Sequence, residues 1–231
     1  MRKQTWDEVW QKYENPSKAE RWLISERHKV LLGLLKSLNK ELKKMKTLEV
    51  GCGFASNSRL LKQEGINVYC LDNSPVVVEK IKKDLKNAFV GDAFKLPFKD
   101  NFFELVFSSG LLEHFPSPEG IIRELFRVVK KDGIVINFLP SRYSLWQLYR
   151  LLHGKDWKHG YEENYTHKKY EEKVRNAMGE KAILIKAGGL DPLALKGFII
   201  KAIKLSIKIN HANRSVHKDA YNEIYRAYRK V

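Results

Sequence analysis

The stretch Thr47 to Asn57, TLEVGCGFASN, constrains this chain more than any other. An apolar run ending in Leu48 and Val50 reads as a buried strand, and Gly51 and Gly53 then turn the backbone into a helix that starts near Ala55. Without a Cβ the chain can take positive φ and let a ligand lie against the peptide bonds. The N-terminus of the following helix offers unpaired N–H groups to a polar or anionic group. Strand, glycine turn and helix are thus the start of a nucleotide-type pocket. Because such turns also serve as plain connectors, the residues around the glycines have to decide. A dinucleotide fingerprint places a third glycine at position 56, where this chain has Ser56, and it does not call for an acid two residues before the first glycine, where this chain has Glu49.

On these residues the chain resembles the class I S-adenosylmethionine-dependent methyltransferases, whose first motif is an acid, any residue, then Gly-x-Gly-x-Gly. Here Glu49, Val50, Gly51, Cys52, Gly53 and Phe54 follow the pattern, and Ala55 replaces the last glycine, which narrows the turn slightly. The resemblance implies an α/β fold: a Rossmann-like, doubly wound, mostly parallel sheet with a helical N-terminal extension and a helical insertion and C-terminal lid. It also implies S-adenosylmethionine as cofactor, with Gly51, Cys52 and Gly53 shaping its loop and Glu49 orienting its amino-acid end.

Downstream elements fit that frame. Ser58 to Glu64 completes a helix, and Asn67 to Leu71 is a second strand ending at Asp72, about 20 residues past the glycines, where a carboxylate can accept both ribose hydroxyls. Ser74 before Pro75 already caps the next helix, predicted over Pro75 to Asn87, which leaves Asp72 and its neighbour Asn73 for a ligand. Ala88 to Val90 is a short third strand followed by Gly91, Asp92 and Ala93; in the resembled family an acid at this point accepts from the adenine amino group and the next backbone N–H donates to the ring. A fourth strand over Phe103 to Phe107 leaves through Ser108, Ser109 and Gly110. This segment is similar to the version common in small-molecule methyltransferases, including those acting on quinone precursors, and Ser108 and Ser109 would border the methionine tail. His114 follows as a candidate general base, imidazole being the side chain suited to that task near neutral pH, with a structural packing role as the alternative. A helix over Pro118 to Lys130 with a Lys131-Asp132-Gly133 exit precedes a continuously apolar fifth strand, Ile134 to Leu139.

The flanks are read more coarsely. Trp6, Trp10 and Tyr13 lie at helical spacing and are candidates to close over the cofactor. Ser17-x-x-Glu20 is a capping box for a long amphipathic helix reaching about Met45. Between Arg142 and Tyr170 aromatic and basic residues interleave, and the loop Gly154 to Tyr165 is the candidate acceptor contact, with Trp157, Tyr161 and Tyr165 as its aromatics. Ala182 to Ile185 fits either helix or strand. Phe198 to Ile209 reads as an apolar helix packed on the core or lying on an anionic membrane, and the tail to Val231 as basic and helical.

The expected organisation is one domain: residues 1–46 as extension, 47–140 as cofactor-binding core, and 141–231 as substrate-side insertion and C-terminal helices. Cys52 and Cys70, the only cysteines, form no Cys-x-x-Cys pair, so neither a disulfide framework nor a metal site is expected, and a reducing cytoplasm fits. No run approaches the length needed to span a bilayer. The net charge of +16 admits a nucleic-acid partner or a solvated lysine- and glutamate-rich surface of the kind seen in heat-adapted proteins. Scattered lysines with interleaved acids favour the second. The fourth strand ends in Ser-Ser-Gly-Leu rather than the Asn- or Asp-Pro-Pro-aromatic pattern of enzymes that methylate nucleic-acid bases, so a small-molecule acceptor leads and RNA is the alternative. A nicotinamide-dependent oxidoreductase and a non-catalytic cofactor-binding partner subunit are the remaining readings.

Overall fold

A computed structural model of the chain describes residues 6–12, 18–142, 163–190 and 223–231. The elements are α1 Trp6–Lys12, α2 Lys18–Ser37, β1 Lys46–Val50, α3 Ser56–Gln63, β2 Asn67–Asp72, α4 Pro75–Lys82, β3 Ala88–Val90, β4 Phe103–Ser109, α5 Glu119–Val128, β5 Val129–Pro140, α6 His167–Met178, β6 Ala182–Leu190 and β7 Glu223–Lys230. One sheet of seven strands runs in the order β3-β2-β1-β4-β5-β7-β6. The first five strands are parallel, and β7 is antiparallel to both neighbours, β5 and β6. The chain steps from the β3 edge back to β4 beside β1, so the strand order reverses between β1 and β4, the place where open α/β sheets hold ligands.

Two apolar layers explain why strands read as continuous runs. On one face Leu31 and Leu35 of α2, Leu61 of α3 and Val77, Val78 and Ile81 of α4 pack on Cys70, Leu105, Phe107, Ile134 and Ile136. On the other, Ile121, Ile122, Leu125 and Phe126 of α5 and Tyr170 and Val174 of α6 pack on Leu48, Val50, Leu71, Val106 and Val135. Each fully buried aliphatic or aromatic side chain contributes about 1.5–3 kcal/mol relative to exposure, enough for α5's four residues to hold a helix of only ten residues in place.

Several boundaries differ from the sequence expectation. Helix α2 ends at Ser37 instead of about Met45; a short 3-10 turn, Leu42–Lys44, follows, and Met45 is buried as the chain enters β1. Helix α4 stops at Lys82, short of Asn87, and the β3–β4 connection carries turns and no helix. It is held by Arg127, which donates to the Leu96 and Phe98 carbonyls and to Glu124 and Asp100. Residues 131–133, expected as a helix exit, lie within β5 at an irregularity where Phe103 pairs with Val129 and Leu105 already with Ile134. Asp132 takes φ 62°, and a Cβ on Gly133 would sit 2.9 Å from the Lys130 carbonyl.

The largest correction is the tail. Residues 223–230, expected to be helical, form β7 between β5 and β6. Their composition, Glu-Ile-Tyr-Arg-Ala-Tyr-Arg-Lys, is tolerant of a helix, but Ile224, Tyr225, Ala227 and Tyr228 are all buried because the strand is covered on both faces. Arg226 is buried among them, compensated by Glu171 at 2.9 Å and by Tyr228, whose hydroxyl accepts from its Nε at 3.0 Å. Ala182 to Ile185, which fits either helix or strand by sequence, belongs to β6, Ala182–Leu190, and α6 ends at Gly179 in a positive-φ turn. Among the described residues no helix is long and apolar enough to cross a membrane. Tyr13, Trp157, Tyr161 and the segment Phe198 to Ile209 lie outside the described residues.

Candidate functional site

The site lies at the carboxyl ends of β1, β2 and β4 and is roofed by α1. Gly51 and Gly53 adopt φ 67° and 49°, and a Cβ on either would meet Leu111 or Trp10 at 2.8 Å, so the loop depends on both glycines. Ala55 occupies the helix N-cap in left-handed geometry at φ 53° and supplies no side-chain cap. The cap comes instead from β1. The Glu49 carboxylate accepts from the Ser58 amide at 3.2 Å, the Ser58 hydroxyl at 2.6 Å and the Asn57 amide nitrogen at 3.4 Å, satisfying an orphan donor of the first turn of α3. Glu49 is 2% exposed, and burial pushes its carboxyl up to about 7 although the Ser58 and Asn57 hydrogen bonds and the Arg27 charge pull the other way. With its Nδ2 committed to Glu49, Asn57 is left with a buried Oδ1 that has no partner among the described residues.

The β2 end is equally defined. Asp72 Oδ2 accepts from the Gly53 amide at 2.9 Å and Oδ1 from the Ser74 amide at 3.0 Å, tying the glycine loop to β2. Burial raises its pKa, opposed by those amides. Ser74 caps α4 through Val77, as expected, and its hydroxyl also donates to Asp7 of α1. Asp92 closes a short turn, accepting from the Phe94 amide at 2.9 Å.

Two adjoining cavities share Trp6, Trp10, Gly51, Gly110 and His114 in their walls. The smaller, about 120 Å³, is lined by Asp72, Asn73, Asp92 and Ala93. The larger, about 450 Å³, is lined by Glu49, Cys52, Gly53, Asn57, Ser109, Glu113 and residues of α2, including Arg27. Most of the described members of the sequence-predicted set are therefore brought together, with His114 at the junction in T-shaped contact with the Trp6 ring at 4.8 Å. Two members fall elsewhere. Ser108 is buried and not in either wall, its hydroxyl accepting from Asn137 at 2.6 Å in a chain that continues to Tyr170. Tyr165, a predicted acceptor contact, is fully buried in the α5–α6 layer, 6.0 Å from the Tyr170 ring. A bulky tyrosine in a polar loop looks exposed, but its backbone pairs with Pro140 and carries it into the core.

Arg27 was not anticipated. It comes from the middle of α2 and donates through Nε at 2.9 Å and through Nη2 to the two carboxylate oxygens of Glu223 on β7. Burial alone would lower its pKa, but Glu223 outweighs this and raises it, with Glu49 and Glu113 adding to the effect. Its one sequence signal is that it interrupts the apolar stripe Leu23, Leu31, Leu34 and Leu35 at helical spacing.

Residues 48–137 match a family model described as a methyltransferase domain. That stretch is a methyltransferase domain. It is 35% identical over 98 residues to a sterol 24-C-methyltransferase of Schizosaccharomyces pombe, a stretch covering 38% of this chain and 26% of that one. It is 32% identical over 108 residues to a 2-methyl-6-phytyl-1,4-hydroquinone methyltransferase of Oryza sativa subsp. japonica, covering 44% of this chain and 33% of that one. The match thus spans a third or less of these relatives. Among solved structures, a protein from Pyrococcus horikoshii OT3 superposes with a TM-score of 0.63 at 18% identity, covering 98% of this chain and all of that one. The phosphoethanolamine N-methyltransferase 2 of Haemonchus contortus, solved with S-adenosyl-L-methionine, gives 0.57 at 19% identity over 86% of this chain and 51% of that one. These two establish the shared fold of the methyltransferase domain and its flanking elements.

Proposed function

We propose that the protein transfers a methyl group from S-adenosylmethionine to a small-molecule acceptor. The observation that carries this reading is the polar cradle left incomplete around the glycine loop: Glu49 and the unpartnered Asn57 Oδ1 offer acceptors at one end, and Asp72 and Asp92 at the other. The cofactor fits that donor pattern, presenting an ammonium group at its methionine end and hydroxyl and amino donors at its adenosine end. Arg27, bound to Glu223 through two of its nitrogens, has the charge to take the methionine carboxylate. In this reading Asp72 holds the ribose, and Asp92 with the Ala93 amide reads the adenine.

When bound, the cofactor supplies a methyl group activated by a sulfonium. What the chain itself contributes is position and dryness. The walls around His114 and Gly110 hold the acceptor in line, while Trp6 and Trp10 exclude water, and orientation of this kind is worth several kcal/mol of a barrier. His114, at the junction of the two cavities, is placed to take a proton from an acceptor hydroxyl or amine.

Calorimetric titration of the purified protein with S-adenosylhomocysteine and with NAD tests the reading. Binding of the first in the micromolar range or tighter, without binding of the second, is expected. NAD binding alone would overturn it in favour of a nicotinamide enzyme.

A further inference from the structure

A chain with a net charge of +16 attracts anions as a whole. The wall of its larger cavity has the opposite sign. Three carboxylates, Glu20, Glu49 and Glu113, are set into it among the described residues, against one guanidinium, Arg27, already bonded to Glu223. Glu113 is 4% exposed, and its Oε1 lies 3.5 Å from where a Cβ on Gly110 would be, which puts the carboxylate at the end of β4.

Acids alone do not specify a ligand. The second feature is aromatic: the Trp6 and Trp10 rings stack at 6.0 Å with 25° between their planes, and both are part of the same wall. Indole faces beside carboxylates recognise organic cations, through the ring quadrupole on one side and charge-assisted hydrogen bonds on the other. Neutral acceptors use the faces but gain nothing from the charge of Glu113, and anionic acceptors are repelled by it. Resting on the cofactor reading above, in which Glu49 and Asn57 serve the methionine end, we propose that the acceptor is a small organic amine, held as its ammonium ion between Glu113 and the Trp6–Trp10 pair. For transfer the ammonium gives one proton to His114. The amine lone pair then forms the N–C bond as the cofactor's C–S bond breaks, that bonding pair stays on sulfur, and the methylated ammonium leaves.

The test uses three probes of one size and different charge near neutral pH, phenethylamine, phenethyl alcohol and phenylacetate, titrated calorimetrically into the full chain with and without S-adenosylhomocysteine. Phenethylamine should bind at least about tenfold more tightly than the alcohol, with phenylacetate weakest. Glu113→Gln should remove most of that preference while the alcohol's affinity stays the same; Trp6→Leu should weaken the amine as well and serves if the first variant does not fold. Equal or tighter binding of the alcohol or the acetate overturns the proposal, as does binding of none of the three. Failure to bind S-adenosylhomocysteine would count against the cofactor reading alone, because the preference among probes is measured on the empty protein too.

Discussion

The cofactor loop and the α2–β7 clasp lie on the walls of one site but are built in opposite ways. In the loop, Asn57 and Ser58 both donate to Glu49 within nine residues of sequence, and Gly53 reaches Asp72 only nineteen residues on. In the clasp, Arg27 and Glu223 meet across 196 residues. The loop is specified by chain geometry that any strand-turn-helix must satisfy, and substitutions there should act on ligand binding. The clasp exists only once both ends of the chain have docked, so substitutions there should act first on stability.

The strongest way to break that contrast is Asp72→Ala. It removes the acceptor assigned to two ribose hydroxyls, each charge-assisted bond being worth about 1.5–3 kcal/mol, so affinity for S-adenosylhomocysteine should fall at least tenfold with the fold retained. Calorimetry and circular dichroism check both halves; unchanged affinity removes Asp72 from the ribose site.

Next in size is Arg27→Gln. Leaving Glu223, about 14% exposed, without its cation should cost about 3 kcal/mol in denaturant melts. The double variant Arg27→Met with Glu223→Met should recover most of it. If the single variant melts like wild type, the clasp is incidental to stability.

A pH series sharpens the comparison from the loop side. With its folded pKa raised to about 7 against an ordinary 4.5, Glu49 keeps a proton in the folded chain that the unfolded chain loses first. Its contribution to stability is therefore full at low pH and declines as pH rises from the ordinary value through 7, by about 3 kcal/mol in all. Glu49→Gln lacks that decline, so its melting temperature relative to wild type should improve above pH 7. Cofactor affinity should run the other way: an ammonium group favours the ionised carboxylate, so wild-type affinity climbs through pH 7 while the variant stays flat. A wild-type affinity that does not change across pH 7 would disconnect Glu49 from the ammonium.

The smallest effect is expected at Gly53→Ala. A Cβ there takes left-handed geometry, costing about 1 kcal/mol, and displaces the Trp10 ring. Hydrogen exchange in residues 6–12 should speed up in this variant, and in wild type it should slow when S-adenosylhomocysteine binds. Exchange in that segment that ignores both changes would make α1 ordinary packing and not a lid.

What could be read from the sequence follows the same division. The first three strands, the glycine turn, Asp72 and Asp92 were legible because each is a local event: an apolar run must end, a turn must take positive φ, and a strand-end acid must face the crevice. Two predicted site residues lie away from the cavity walls for a tertiary reason. Ser108 and Ser109 are equivalent by composition, yet pleat alternation and Asn137 turn the first into the core, and Tyr165 was judged by its polar neighbours before its pairing with Pro140 could be known.

The sequence by itself determined that there would be a parallel α/β core with a glycine-turn pocket at its strand ends, since periodicity and turn chemistry act over a few residues. Tertiary structure alone decided that the last residues become β7 and that Arg27 leaves an amphipathic stripe to clasp Glu223. Those outcomes depend on which surfaces are covered and which charges are compensated after the sheet has assembled, and neither is written in any short window of the chain.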